Sequence, residues 1–236
     1  MQEVSVIIPN FNGMAYLDGV LAGLECQSVN NFEVILVDNG SSDGSCAFVA
    51  ARYPWVHLIE LPENFGFCKA VNEGIKASRA PYVLLLNNDI EVTENFIEEM
   101  IFAIKRHPKA FSCAARMIQF HDRDKLDDAG NYYCALGWAY ARGKGKDIHT
   151  YEKEEQIFAS CAGAAIYRKK IFDKIGYFDE EHFAYLEDMD VGYRARIHGY
   201  ETGMHRMRWY IMWEAGQAVP GIINLRSAIL PEIIFT

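Results

Sequence analysis

No glycine-rich GxGxxG turn follows the first apolar run of this chain, and no GxxxxGK[ST] loop occurs in it. The first absence weakens a dinucleotide-binding reading, because that turn brings backbone amides against a pyrophosphate, and the second excludes a P-loop. The six cysteines (Cys26, Cys46, Cys68, Cys113, Cys134, Cys161) form no CxxC pair. Neither a zinc site nor a disulfide framework is expected, and scattered thiols suit a reducing cytosol. Positive charge is also short: 23 Lys and Arg stand against 32 Asp and Glu, for a formal charge of −9. A nucleic-acid partner is not expected, since phosphate backbones are bound by basic surfaces. An acidic chain still holds a phosphorylated ligand where a cation supplies the positive charge. No apolar run reaches the length of a membrane span. The chain runs directly into a β-prone segment at Val4–Ile8, without a leader pattern. The expectation is a soluble, cytoplasmic protein, with peripheral association at the inner face of a membrane left open.

What the chain does have is apolar content, 50% of 236 residues, enough for one sizeable core or two small ones. Short β-branched runs at Val4–Ile8, Val34–Val37, Val56–Leu61 and Tyr82–Leu86 predict strands. Helices are predicted between them at Tyr16–Glu25, Cys46–Arg52 and Cys68–Ala77, the second capped by Ser42 or Asp43. Strands without alternating polar positions are buried on both faces, which means a mostly parallel sheet covered by helices. A further helix, Thr93–Arg106, ends before Pro108. Beyond residue 109 the pattern loosens. A strand is predicted at Phe111–Ile118, and loops with short strands over a cleft at His121–Asp147. Ile157–Tyr167 is β-prone, Lys169–Ile175 a short helix ended by Gly176, and Leu186–His198 a helix closed by Gly199.

In a doubly wound sheet, ligands bind beyond the carboxyl ends of the strands. Here those ends carry Pro9, Asn10 and Asn12, then Asp38-Asn39-Gly40-Ser41-Ser42-Asp43, then Asn64-Phe65-Gly66, then Asn87-Asn88-Asp89. One such cluster is ordinary turn chemistry, whereas a series of them lines a pocket. Asp43 is read as an Asx turn or helix cap. Asp38 is read as a ligand contact, because Gly40-Ser41-Ser42 already supplies turn residues. Oxygen donors two apart at a strand end, Asn87 and Asp89, suit a hard cation such as Mg²⁺ or Mn²⁺, and suit a polar turn equally well. Glu187, Asp188 and Asp190 open the last helix. The helix dipole favours carboxylates there, and Asp190 faces Arg194 one turn on. Dipole and pairing account for one carboxylate more easily than for three beside Phe183 and Tyr185. An acid in such a place suits a general base.

The segments Val4-Ser-Val-Ile-Ile-Pro-Asn-Phe-Asn12, Val37-Asp-Asn-Gly-Ser-Ser-Asp43, Asn64-Phe-Gly-Phe67 with Asn72, Leu85-Leu-Asn-Asn-Asp89, and Gly176-Tyr-Phe-Asp179 through Glu187-Asp188 resemble the family-2 glycosyltransferases of the GT-A fold. The chain is most similar to their rhamnosyltransferase-like branch, over residues 4–200. The resemblance implies a Rossmann-like α/β sheet, with residues 1–108 as the nucleotide-sugar-binding half and 109–200 as the acceptor and catalytic half. It implies that Pro9, Asn12 and Asp38 contact the nucleoside. Asn10, Asn39, Asn64, Gly66, Asn72, Asn87 and Asn88 are assigned to the same nucleotide-sugar site. Asp89 takes the metal position, with Asn87 standing where the family's Asp-x-Asp motif has its first Asp. Asp188 takes the place of the catalytic base, with Glu187 and Asp190 on the acceptor side. The implied partners are a nucleoside-diphosphate sugar, a Mg²⁺ or Mn²⁺ ion, and a saccharide or lipid-linked acceptor of cell-surface polysaccharide synthesis. The implied reaction is a single inverting displacement.

One segment departs from the family pattern. After Gly199-Tyr200 the family has a strand and a metal-binding His, but this chain reads Glu201-Thr-Gly-Met-His-Arg-Met-Arg-Trp-Tyr-Ile-Met-Trp-Glu214. Joining each codon's last base to the next two converts the segment into Tyr-Ala-Pro-Asp-Ala-Val-Val-Tyr-His-Val-Gly, the expected pattern. Residues 201–236 are therefore read as an atypical tail in a displaced frame, irregular in structure, whose His205 is not the metal ligand. Two other functions fit less well: a nucleotide-sugar-binding homologue without activity, and a sugar nucleotidyltransferase. The latter needs a basic loop after the first strand, and Pro9–Gly13 contains no basic residue.

Overall fold

A computed structural model describes residues 2–204 and 212–213. The first half alternates regularly: β1 (Val4–Asn10), α1 (Met14–Glu25), β2 (Phe32–Asp38), α2 (Ser45–Arg52), β3 (His57–Glu60), α3 (Phe67–Ala77) and β4 (Tyr82–Leu86). There follow β5 (Ile90–Glu91), α4 (Phe96–Arg106), β6 (Ala110–Ala114), β7 (Met117–Gln119), β8 (Leu126–Asp128), β9 (Asn131–Tyr133), β10 (Ala139–Ala141) and β11 (Glu155–Gln156). The chain continues through β12 (Ala164–Arg168), α5 (Lys169–Ile175), α6 (Glu187–Ile197), β13 (Glu201–Met204) and β14 (Met212–Trp213).

Eight strands form the main sheet in the order β11-β13-β6-β12-β4-β1-β2-β3. Strands β3, β2, β1 and β4 run parallel, β12 runs antiparallel between β4 and β6, and β13 is parallel to β6. Alternation along β1 explains the layering. Val4, Val6 and Ile8 pack in one core with Leu17 and Leu21 of α1 and Ile97 and Met100 of α4. Ile7 turns to the other face, where Val71 and Ile75 of α3, Phe172 of α5 and Val191 of α6 cover it. Both faces are thus apolar, and the polar residues of β1 to β4 are left to the strand ends.

Several element boundaries differ from the sequence reading. Phe111–Ile118 is not one strand: the chain leaves β6 at Ala114 and re-forms as β7 in a second sheet, ordered β5-β14-β7-β8. Only Ala164–Arg168 of the β-prone Ile157–Tyr167 run is a ladder strand. Its first half is apolar because it is buried beside Asn131 and Thr202, to which Phe158 and Ile157 donate backbone hydrogen bonds. The cap of α2 is Gly44 in a left-handed conformation, not Ser42 or Asp43. Asp43 still serves that end, since the Ser45 N–H donates to its Oδ1 at 3.0 Å. The tail begins as β13, with Thr202 fully buried, so Glu201–Met204 is regular where irregularity was expected. Residues 205–211 and 214–236, including His205 and most of the displaced-frame reading, lie outside the described residues. Among the described residues no helix is long and apolar enough to cross a membrane.

Candidate active site

The strand ends of β1, β2 and β4 meet through carboxamides. Asn10, the last residue of β1, donates from Nδ2 to Asp38 Oδ2 at 2.8 Å and to Ser41 Oγ at 3.3 Å. Its Oδ1 accepts from Asn88 Nδ2 at 2.7 Å. The Ser41 N–H closes the loop on Asp38 Oδ1 at 2.8 Å. One residue therefore ties the loops after all three strands together. Its neighbour Asn39 joins the third loop, donating to Asn64 Oδ1 at 2.8 Å and to the Gly66 carbonyl at 3.0 Å. The Phe65 N–H returns a bond to Asn39 Oδ1 at 3.0 Å. Asn12 holds the rim, its Oδ1 accepting the Ser42 N–H at 2.9 Å. Half-buried Pro9 lies within β1, paired with Val37.

Asn10, Asn39, Asn64, Asn88 and Asp38 are thus brought into one cradle, as the sequence suggested. Asp38 is buried and both its oxygens accept bonds within the loop, so in this structure it shapes the cradle from inside. Burial of the Cys46 thiol first, and the Asp38 charge next, push it up to about 12, so Cys46 stays a thiol near neutrality. Asn72 stands apart. It donates to the Phe178 carbonyl at 2.8 Å and to Glu180 Oε1 at 3.1 Å, fixing the lead-in to α6 against α3.

Gly13 is required by the cradle. A Cβ there would fall 2.0 Å from Asn88 Nδ2 and 2.4 Å from Asn10 Oδ1, through the bond between them. Gly13→Ala is expected to break that bridge and to weaken several-fold the nucleotide binding that the resemblance implies, one hydrogen bond being worth about 1 kcal/mol. Titration with nucleotide checks this, and unchanged affinity would show that the bridge does not shape the site.

Asn87 and Asp89 follow β4, half-buried, with the Asn87 N–H bonded to the Gly163 carbonyl at 2.9 Å. Among the described residues no three His, Cys, Asp or Glu side chains converge as a metal cage. The donors present are hard oxygens, one carboxylate and one carboxamide. They do not fit a cation held by protein alone, but fit one shared with a diphosphate.

The second half of the site is the start of α6. The lead-in Phe183–Leu186 is strained: Phe183, Tyr185 and Leu186 all have positive φ (57°, 73° and 66°). It crosses Gly66 so closely that a Cβ there would lie 2.6 Å from the Phe183 carbonyl oxygen. The cradle and α6 are in this way packed against each other. Glu187 is buried, and its charge, after burial itself, raises the Cys68 thiol to about 12. Asp188 and Glu187 lie near the fully buried Tyr167 hydroxyl, which burial first and Asp188 next hold protonated. Asp190 accepts from Arg194 Nε at 2.9 Å and Nη2 at 2.5 Å, and Arg194 in turn donates to the Ile175, Gly176 and Tyr177 carbonyls. That latch is the pairing foreseen at i+4, and it keeps Asp190 away from Asp188.

Sequence reasoning missed Asn131. At the start of β9 it donates from Nδ2 to Asp188 Oδ2 at 2.8 Å. Its backbone is fixed by Phe158 and Ala159, and Gly192 lets α6 approach them, since a Cβ there would lie 2.7 Å from that of Ala159. No local signal marks Asn131, whose partner is 57 residues away.

Several known proteins are similar to this chain in sequence or in fold. An N-acetylglucosaminyl-diphospho-decaprenol L-rhamnosyltransferase of Mycobacterium tuberculosis is 26% identical over 212 residues, covering 80% of this chain and 69% of its own length. The uncharacterized glycosyltransferase YwdF of Bacillus subtilis is 25% identical over 197 residues, 82% of this chain and 68% of its own. The crystal structure of S. aureus TarS 1-349 in complex with UDP-GlcNAc superposes with a TM-score of 0.66 at 19% identity, over 92% of this chain and 60% of that one. At that identity it shows the fold alone, which is GT-A. The family description Glycosyl transferase family 2 matches residues 5–176, well over half of the sequence, and this chain belongs to that family.

Proposed function

We propose that this chain moves a sugar, with inversion, from a nucleoside-diphosphate sugar to an acceptor hydroxyl in cell-surface polysaccharide synthesis. The observation that carries the reading is Asp188, a half-buried carboxylate at a helix start, oriented by Asn131 and packed through Phe183 against the amide cradle. Membership of the family supports sugar transfer. The decaprenol-linked acceptor named for the mycobacterial relative and the UDP-GlcNAc held by the staphylococcal neighbour support a saccharide or lipid-linked acceptor and a nucleotide donor.

In this reading the cradle from Pro9 to Asn88 positions the nucleoside and diphosphate through its carboxamides, with the buried Asp38 carboxylate holding them in place. Asp89 and the Asn87 oxygen would hold a Mg²⁺ or Mn²⁺ ion together with the diphosphate. Such an ion supplies positive charge to the leaving group. Asp188 takes the acceptor hydroxyl proton as that oxygen bonds to the anomeric carbon and the bond from this carbon to the diphosphate oxygen breaks. Glu187 would lie beside the acceptor, buried and without a proton-transfer role. Isothermal titration against UDP-, dTDP- and GDP-sugars with Mn²⁺ tests the reading. One donor class is expected to bind in preference, and no binding by any of them would overturn it.

A further inference from the structure

Beyond Asp188, strand β9 and helix α6 face each other at a second place. Side chains two apart on a strand share a face, so Tyr133 lies on the Asn131 side of β9, about 7 Å further along. The intervening Tyr132 turns the opposite way and stacks on Tyr140 at 5.8 Å. As Asn131 meets Asp188 of α6, so Tyr133 meets Tyr193 of α6, with ring centroids 6.3 Å apart. Tyr193 is five residues beyond Asp188, about 7.5 Å along the helix axis. The two elements thus meet at two rungs, one polar and carrying the carboxylate, the other aromatic.

The second rung is braced yet open. Phe158 stacks beneath Tyr133 at 5.4 Å and 26°, and Arg196 lies 4.9 Å over Phe158 while donating to the Phe158 carbonyl at 3.2 Å. Even so, Tyr133 is 44% exposed and Tyr193 is 50% exposed. Rings with hydroxyls at their edges, held rigid and half in water, suit the apolar C–H face of a pyranose whose own hydroxyls stay solvated. Direction agrees as well. The N-terminal end of α6 packs on the cradle through Phe183, so Tyr193 lies further along the helix from that end than Asp188 does.

We infer that Tyr133 and Tyr193 form an acceptor subsite that takes the sugar unit next to the one whose hydroxyl meets Asp188. The acceptor would then be a chain of at least two sugar rings. The inference rests on the sugar-transfer reading for its purpose, but it makes a binding claim that stands or falls separately. Saturation-transfer NMR on the whole chain would compare disaccharides (chitobiose, cellobiose, maltose) with N-acetylglucosamine and glucose. At least one disaccharide is expected to bind about tenfold more tightly than its monosaccharide. Tyr133→Ala and Tyr193→Ala should each remove that advantage, and Tyr133→Phe and Tyr193→Phe should keep most of it. Equal binding of mono- and disaccharides by the unaltered chain, or an advantage that survives both alanine variants, would overturn the subsite. Donor titration on the same samples separates the two claims. Disaccharide preference without nucleotide binding would leave the subsite standing and remove the transferase reading, and the converse would do the opposite.

Discussion

Asp188→Asn is expected to lower turnover by ~10²–10⁴, the usual contribution of a positioned general base. The substitution keeps the side-chain shape and the hydrogen bond to Asn131 if the amide oxygen faces Asn131 Nδ2, while removing the group that takes the proton. Donor affinity should survive, because in the proposed reading the donor sits in the cradle of Asn10, Asp38, Asn39 and Asn64, at the ends of other strands. The measurement is steady-state transfer, together with donor titration, on the unaltered chain and the variant. A fall of only a few-fold would remove Asp188 from the base position. Loss of donor binding would instead give it a structural role at the junction of α6 and β9.

Asp89→Ala should abolish the Mn²⁺-dependent part of nucleotide binding and leave the fold intact. Asp89 lies in the turn after β4, outside the ladder that builds the sheet, so its removal leaves the pairing of β4 with β1 and β12 untouched. With Asn87 as the accompanying donor, the ion would lose its only negatively charged ligand in that motif. Titration with and without Mn²⁺, alongside circular dichroism, decides the matter. Equal affinity in both conditions and in both proteins would sink the assignment.

The first half of the fold was legible because its physics is local. Val6–Ile8, Val34–Val37 and Tyr82–Leu86 are apolar at successive positions, and only strands buried on both faces need that. Asn and Asp at their ends then had few structural reasons to recur. The second half was harder to read because contacts distant in sequence decide it. Ile157 is apolar because it packs with Ile118, Leu126 and Ile148, Ala159 because α6 passes close over it, and Gly192 gives no hint of the approach it permits. Asn131 reads as one more loop residue until the fold carries it to Asp188. For Asp190 the i+4 spacing to Arg194 alone was sufficient.

The carboxamides that build the cradle also set a chemical clock. Asn12-Gly13 and Asn39-Gly40 are the chain's two Asn-Gly pairs. Such pairs shed side-chain ammonia most readily, because a glycine leaves the next backbone nitrogen unhindered in attacking the side-chain carbonyl. The fold treats them differently. Asn39 is 4% exposed and its carboxamide is held at both ends by Asn64, Gly66 and Phe65, so the attacking geometry is out of reach. Asn12 is exposed at the rim, with the Ser42 N–H on its oxygen. On storage, position 12 would slowly convert to a carboxylate beside Ser42 and Asp43, at the rim of the cradle, while the deeper amides keep their original chemistry.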